Sequence, residues 1–208
     1  EDIVMCPGKE DMFNFLEDII REIVPLFPGK YFHIGGDECP KTSWKHCPTC
    51  QKRIQNEGLQ ADGKHSAEER LQSYVIKRME KMLAKYDRKI IGWDEILEGG
   101  LSPDATVMSW RGTSGGISAA LQKHDVIMTP GSGGLYLDHY QGDYKIEPVT
   151  IPSAPAYLSR TYNYEPVPDT IKSLGLEKHI LGVQCNNWSE YMYTNAKMEY
   201  QMYPRSLA

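Results

Sequence analysis

Apolar positions in this chain switch between a helical period and short continuous runs. From Glu10 to Phe27, Met12, Phe13, Leu16, Ile19, Ile20, Ile23 and Val24 recur at helical spacing, and Pro25 and Pro28 close the stripe. Tyr31 then opens a short run that reads as a first strand. Ser66-Ala67-Glu68-Glu69 fits a capping box, and Leu71, Tyr74, Val75, Met79, Met82, Leu83 and Tyr86 supply the buried face of the helix it starts. A second strand is predicted from Lys89, a third from Thr106 and a fourth from Val126, with a short helix over Gly115 to His124. Ile171 to Gly175 marks a weak helical turn before a fifth strand at Ile180, and Thr194 to Tyr203 starts a final helix that the chain end cuts short.

The order is therefore helix, strand, helix, strand, strand, helix, strand, long loop, strand, helix. Such alternation implies parallel strands with right-handed crossovers. Parallel strands buried on both faces read as short apolar runs, and a (β/α) barrel carries its chemistry where they end. The runs here end in Gly35-Gly36-Asp37-Glu38, Trp93-Asp94-Glu95, Ser109-Trp110-Arg111, Thr129-Pro130-Gly131 and Asn187-Trp188-Ser189-Glu190. The segment Ser132 to Val167 is long for a mere connector and points to a binding face. With no internal repeat or low-complexity linker, one domain over 1–208 is the simplest organisation. A full eight-stranded barrel takes about 250 residues. The predicted fold class is thus α/β, a (β/α)8 TIM barrel present in part, about strands 4 to 8. An open doubly wound sheet is the alternative, but no Gly-rich phosphate loop follows the first strand.

Composition narrows the function. The net charge is -5 and no run of Lys or Arg forms a basic stripe, which argues against nucleic acid as a partner. No stretch approaches the roughly 20 apolar residues that span a bilayer, so no membrane association is expected. Thirteen Tyr and four Trp offer rings that stack on sugars, with core packing as the competing use. Of Cys6, Cys39, Cys47, Cys50 and Cys185, the Cys47-Pro48-Thr49-Cys50 pair has the spacing of half a zinc site or of a redox motif. Only Cys39 and His46 lie close in sequence, and nothing in the flanks suggests the helix start that redox pairs use. Free or inertly packed thiols are the expectation, with a disulfide as the alternative and at least one of the five thiols left unpaired, and no metal or cofactor is expected.

Two acidic pairs compete for catalytic work. Asp37-Glu38 follows two glycines that let the backbone turn sharply and leave room beside the carboxylates. Neighbours on an extended backbone point opposite ways, so one carboxylate can face a leaving-group oxygen while the other orients a neighbouring group. A helix N-terminus with acidic caps would use the same dipeptide. Asp94-Glu95, after Trp93, competes for the role, and composition does not choose between them.

His33-Ile34-Gly35-Gly36-Asp37-Glu38, Trp93-Asp94-Glu95, Ser109-Trp110-Arg111-Gly112, Tyr136-Leu137-Asp138 and Asn187-Trp188-Ser189-Glu190 resemble, in order and spacing, the family 20 glycoside hydrolases, the β-N-acetylhexosaminidases. The resemblance covers the whole chain as the second part of that family's catalytic barrel. It implies Glu38 as the general acid/base, and Asp37 as the group that holds the 2-acetamido N–H and stabilises an oxazolinium intermediate. This substrate-assisted route departs from the usual two-carboxylate scheme. Trp93, Trp110 and Trp188 would wall the acetamido pocket, and Tyr136 would donate to the acetamido oxygen. Asp138 and Glu190 would bind sugar hydroxyls, leaving Asp94 and Glu95 supporting roles.

The resemblance further implies a secreted or periplasmic protein acting on N-acetylhexosamine-terminated glycans. It also implies that an Arg and a His of the family pattern lie upstream of Glu1. A partial barrel exposes strand edges through which copies can associate, and hydrolysis by the chain alone is expected to be weak or absent. Two other readings remain: a non-catalytic sugar-binding barrel fragment, and a retaining glycosidase with a protein nucleophile, Glu38 being the acid with Glu190 or Asp138 opposite. The last needs carboxyl groups about 5 to 5.5 Å apart.

Overall fold

The computed structural model describes residues 4–208 and divides into two units at Val107/Met108. In the first, α1 (Glu10–Ile23) carries Glu10 and Asp11 in its first turn and Arg21 in its last, each sign suiting the helix dipole. It buries Met12, Phe13 and Ile20. Pro25 cannot continue the hydrogen-bond ladder, and the chain tightens into a 3-10 turn over Val24–Leu26. β1 (Tyr31–His33) then pairs in parallel with β2 (Lys89–Trp93), Phe32 opposite Ile90 and His33 opposite Ile91.

Two helices absent from the sequence reading fill the segment after Glu38: α2 (Thr42–His46) and α3 (Pro48–Asn56). Both are short. In α3, Pro48 stands in the first turn, where its missing N–H costs nothing. Cys47 is the N-cap of α3, so the Cys47/Cys50 pair does sit at a helix start, contrary to the expectation from its flanks. Cys39 and His46, the possible ligands nearest in sequence, do not join that pair. The thiols that come together are Cys6, Cys47 and Cys50, and Cys39 and His46 lie outside that group. Trp44, Cys50, Ile54 and Leu71 form a small core here, with Cys6 and Cys39 packed against it.

The predicted capping box is present in full at α4 (Ala67–Ala84). Ser66 Oγ accepts from the Glu69 N–H at 3.1 Å, and Glu69 Oε2 accepts from the Ser66 N–H at 2.6 Å. Arg53 donates to Glu10 at 2.9 Å, and Arg78, also bonded to Glu10, lies 4.1 Å over the Phe13 ring, linking α3, α1 and α4.

The third strand, β3 (Thr106–Ser109), runs across the division. In the second unit, α5 (Ser114–Leu121) packs on β4 (Val126–Met128), which pairs in parallel with β5 (Ile180–Val183) across an irregularity between Val126 and Ile127. Two short helices, α6 (Leu158–Tyr162) and α7 (Asp169–Ser173), lie between β4 and β5, and α8 (Asn195–Met202) follows β5. The last is not cut short by the chain end: it stops at Tyr203, before Pro204, and a 3-10 turn over Arg205–Leu207 follows. Strand order follows chain order, β1-β2-β3-β4-β5. Among the described residues no helix is long and apolar enough to cross a membrane.

Candidate active site

In the first unit the chain leaves β1 through two glycines at φ +72° and +100°. A Cβ on Gly36 would stand 2.6 Å from Ile96 Cγ2, so this position needs glycine for its conformation and for its space. The turn is tied to β2: Ile34 N–H donates to Ile91 O at 2.9 Å, and Trp93 N–H donates to Gly35 O at 3.0 Å. Asp37 and Glu38 follow, both exposed. Glu38 itself is held at φ +44°, a left-handed conformation rare outside glycine and costing on the order of 1 kcal/mol.

His33 supports this turn. Its Nδ1 accepts from the Gly35 N–H at 3.1 Å, which leaves the ring proton of the neutral form on Nε2. The ring meets Trp93 edge-on, centroids 4.7 Å apart. Burial pushes the imidazole below its usual pKa, opposed by the Asp37 charge. Trp93 is buried at the end of β2. Asp94 and Glu95, in the 3-10 turn Asp94–Leu97, are only 1% and 5% exposed. Of the two acidic pairs, Asp37-Glu38 is the one open to solvent and Asp94-Glu95 the one that is buried.

The second unit gathers the other expected residues. Trp110 and Tyr136 stack with centroids 6.5 Å apart and planes 12° from parallel, and Trp188 meets Tyr136 at 6.4 Å and 71°. Asn186 fixes the frame. Its C=O accepts from the Leu137 N–H at 2.7 Å, its N–H donates to Leu135 O at 2.8 Å, and its Nδ2 donates to Thr129 Oγ1 at 2.8 Å. Tyr136 is thereby pinned between strand ends, in a bridge to Asn186.

Asp138 is 1% exposed, and among the described residues neither of its carboxylate oxygens finds a hydrogen-bond partner of normal geometry. Burial raises its pKa to about 6. The nearby N–H groups of Asp138 and Trp188 restrain the rise, the Glu190 charge adds to it, and the Arg205 charge opposes it. A buried acceptor without a donor is costly unless something supplies one. Glu190 is exposed nearby on the same segment as Trp188.

Sequence reasoning missed the residues that hold this loop. Gln201 Nε2 donates to Asp138 O and to Thr150 Oγ1, each at 3.0 Å, and Thr150 Oγ1 in turn bonds to Asp138 O. Buried Arg205 donates to the carbonyls of Leu137, His139, Ala156 and Gln201. Their only sequence signal was an Arg and a Gln near a helix end, which usually means a solvated surface.

Comparison with known proteins places the chain in a family. The model of glycosyl hydrolase family 20, catalytic domain, matches residues 1–208. A beta-hexosaminidase of Porphyromonas gingivalis is 58% identical over 210 residues, covering 100% of this chain and 26% of the relative. One from Vibrio furnissii is 34% identical, covering 100% of this chain and 33% of its own length. The solved exo beta-N-acetylglucosaminidase of Vibrio harveyi in complex with N-acetylglucosamine superposes with a TM-score of 0.87 at 29% identity, over 99% of this chain and 31% of that one. The chain thus spans between a quarter and a third of these relatives' lengths, and the strands it contributes are part of the family's (β/α) barrel. With the family model matched over residues 1–208, the chain belongs to glycosyl hydrolase family 20.

Proposed function

We propose that this chain supplies catalytic residues for retaining, substrate-assisted hydrolysis of terminal N-acetylglucosamine or N-acetylgalactosamine from glycans. The observation that carries the reading is the Trp110–Tyr136–Trp188 cluster, an aromatic cage beside a hydroxyl donor, suited to an acetamido group. Glu38 protonates the glycosidic oxygen while the substrate's own acetamido oxygen attacks C1, breaking the C1–O bond and forming an oxazolinium ion. Asp37 accepts from the acetamido N–H as positive charge develops there, a contact worth most in the transition state. Tyr136 donates to the acetamido oxygen and aligns it, and the tryptophans exclude water until the ring has closed. Glu38, now a base, takes a proton from the water that opens the intermediate. Asp138 and Glu190 accept from sugar hydroxyls.

The test, made on a full-length enzyme carrying this chain, compares aryl 2-acetamido-2-deoxyglycosides with the matching 2-hydroxy glycosides. A strong preference for the acetamido substrate, with tight inhibition by a thiazoline mimic, is the expected result. Equal turnover of both would favour a protein nucleophile and overturn the substrate-assisted reading.

A further inference from the structure

The loop ahead of α1 and the start of α3 bring three thiols together. Cys6 Sγ lies 3.6 Å from Cys47 Sγ and 3.4 Å from Cys50 Sγ, and all three sulfurs fall within 4.8 Å of one another. Three mutual neighbours cannot be satisfied by one disulfide, which would strand the third. They match a different geometry: a tetrahedral zinc with bonds of about 2.3 Å sets its sulfurs about 3.8 Å apart.

The surroundings are built for it. Cys47 and Cys50 occupy the N-cap and first turn of α3, where the helix's positive end favours thiolate charge. The backbone N–H groups of Cys50 and Gly8 reach the Cys47 and Cys50 sulfurs respectively. Gly8 lies so close to α3 that a Cβ there would stand 2.3 Å from the Thr49 carbonyl carbon and 2.5 Å from Cys50 N. Only glycine lets the Cys6-Pro7-Gly8 loop approach closely enough to deliver Cys6. Trp44 Nε1 anchors the loop from its other side, donating to Met5 O at 2.9 Å. Thr49 Oγ1 stands 3.2 Å and 3.1 Å from the Cys6 and Cys47 sulfurs and marks the side where a fourth ligand enters.

We propose that Cys6, Cys47 and Cys50 bind a zinc ion as three thiolates, with a water beside the Thr49 hydroxyl as fourth ligand. Binding releases the three thiol protons to solvent as three Zn–S bonds form. The ion clips the chain entering α1 to the helix that follows Glu38, a structural task rather than a catalytic one. Cys39 and Cys185 take no part.

The protein is purified under reducing conditions without chelators, loaded with zinc chloride, desalted and assayed for metal. About one zinc per chain is expected, with three sulfurs near 2.3 Å by X-ray absorption at the zinc edge. Cys6→Ser and Cys47→Ser should each lower bound zinc at least tenfold in a fixed metal buffer, while Cys39→Ser and Cys185→Ser keep it. Three results would overturn the site: folded protein that takes up no zinc, a non-reducing thiol titration two thiols short, or zinc lost from Cys39→Ser but kept in Cys6→Ser. Should the serine variants fail to fold, the absorption spectrum of the unsubstituted protein decides the question.

Discussion

Arg205, 1% exposed, donates from Nη1 to the carbonyl oxygen of Ala156 at 3.0 Å. The same guanidinium bonds to His139 O at 3.2 Å, Gln201 O at 2.5 Å, and Leu137 O. One buried fork therefore closes the ends of the loop that carries Asp138. Its own pKa is lowered chiefly by burial, yet the carbonyls around it hold the charge in place. Replacing it leaves those carbonyls buried and unsatisfied. Arg205→Met is expected to cost about 3 kcal/mol of unfolding free energy. Arg205→Lys should recover only part, since an ammonium lacks the planar fork. Urea denaturation of both variants checks this, and losses below about 0.5 kcal/mol would show the fork to be dispensable.

Asp138 makes the pH behaviour specific. Its folded pKa, about 6, lies above its ordinary 3.8, so between those values the folded state binds more protons than the unfolded one. Stability from this group is therefore full below the ordinary value and falls as pH rises through about 6. The interval corresponds to on the order of 2–3 kcal/mol at about 1.4 kcal/mol per unit. Asp138→Asn should flatten the stability profile between pH 4 and 6 and be the more stable form at neutral pH. Sugar binding should move the other way, since only the carboxylate accepts from two hydroxyls: affinity for N-acetylglucosamine should fall below pH 6 in the unsubstituted protein. A stability profile identical for both proteins would place the Asp138 carboxyl in a normal environment.

Glu38→Gln tests the acid. General-acid help is worth roughly 10²–10⁴-fold, so in a full-length enzyme carrying this chain turnover of substrates with poor leaving groups should fall by that much. An aryl glycoside whose leaving group needs no proton should lose far less in the first step. Equal losses with both substrates would remove Glu38 from the leaving-group role.

Asp37→Asn keeps the shape of the side chain and removes its charge. Because that charge matters most as the oxazolinium forms, kcat of a full-length enzyme carrying this chain should drop by at least about 10²-fold while KM changes little. A thiazoline mimic should bind the variant much more weakly. Calorimetry giving the same thiazoline affinity for both proteins would contradict the assignment.

The helices and strands with strong periodic signals were legible along the chain. Ser66 and Glu69 are three residues apart, close enough to specify a capping box locally, and α4 begins where they say. Asp37-Glu38, Trp110 and Trp188 were legible as the ends of β-branched runs, but preferring Asp37-Glu38 to Asp94-Glu95, and picking out Tyr136, took the resemblance to family 20. The short helices α2 and α3 were not, because Pro40 and Pro48 read as turn residues and few apolar positions mark either face.

What the chain order alone could not decide were meetings between residues far apart in sequence. Cys6 joins Cys47 and Cys50 across more than 40 positions, and Arg205 reaches Leu137 across 68. Nothing local to Cys6 distinguishes a packed thiol from a ligand, and nothing local to Arg205 distinguishes a solvated guanidinium from a buried clamp. Local propensity and periodicity act over a few residues and so determine elements and the residues at their ends. Which buried polar groups share one desolvated space is set by how the elements pack, and only tertiary structure supplies the burial that gives Asp138, Arg205 and the three thiols their character.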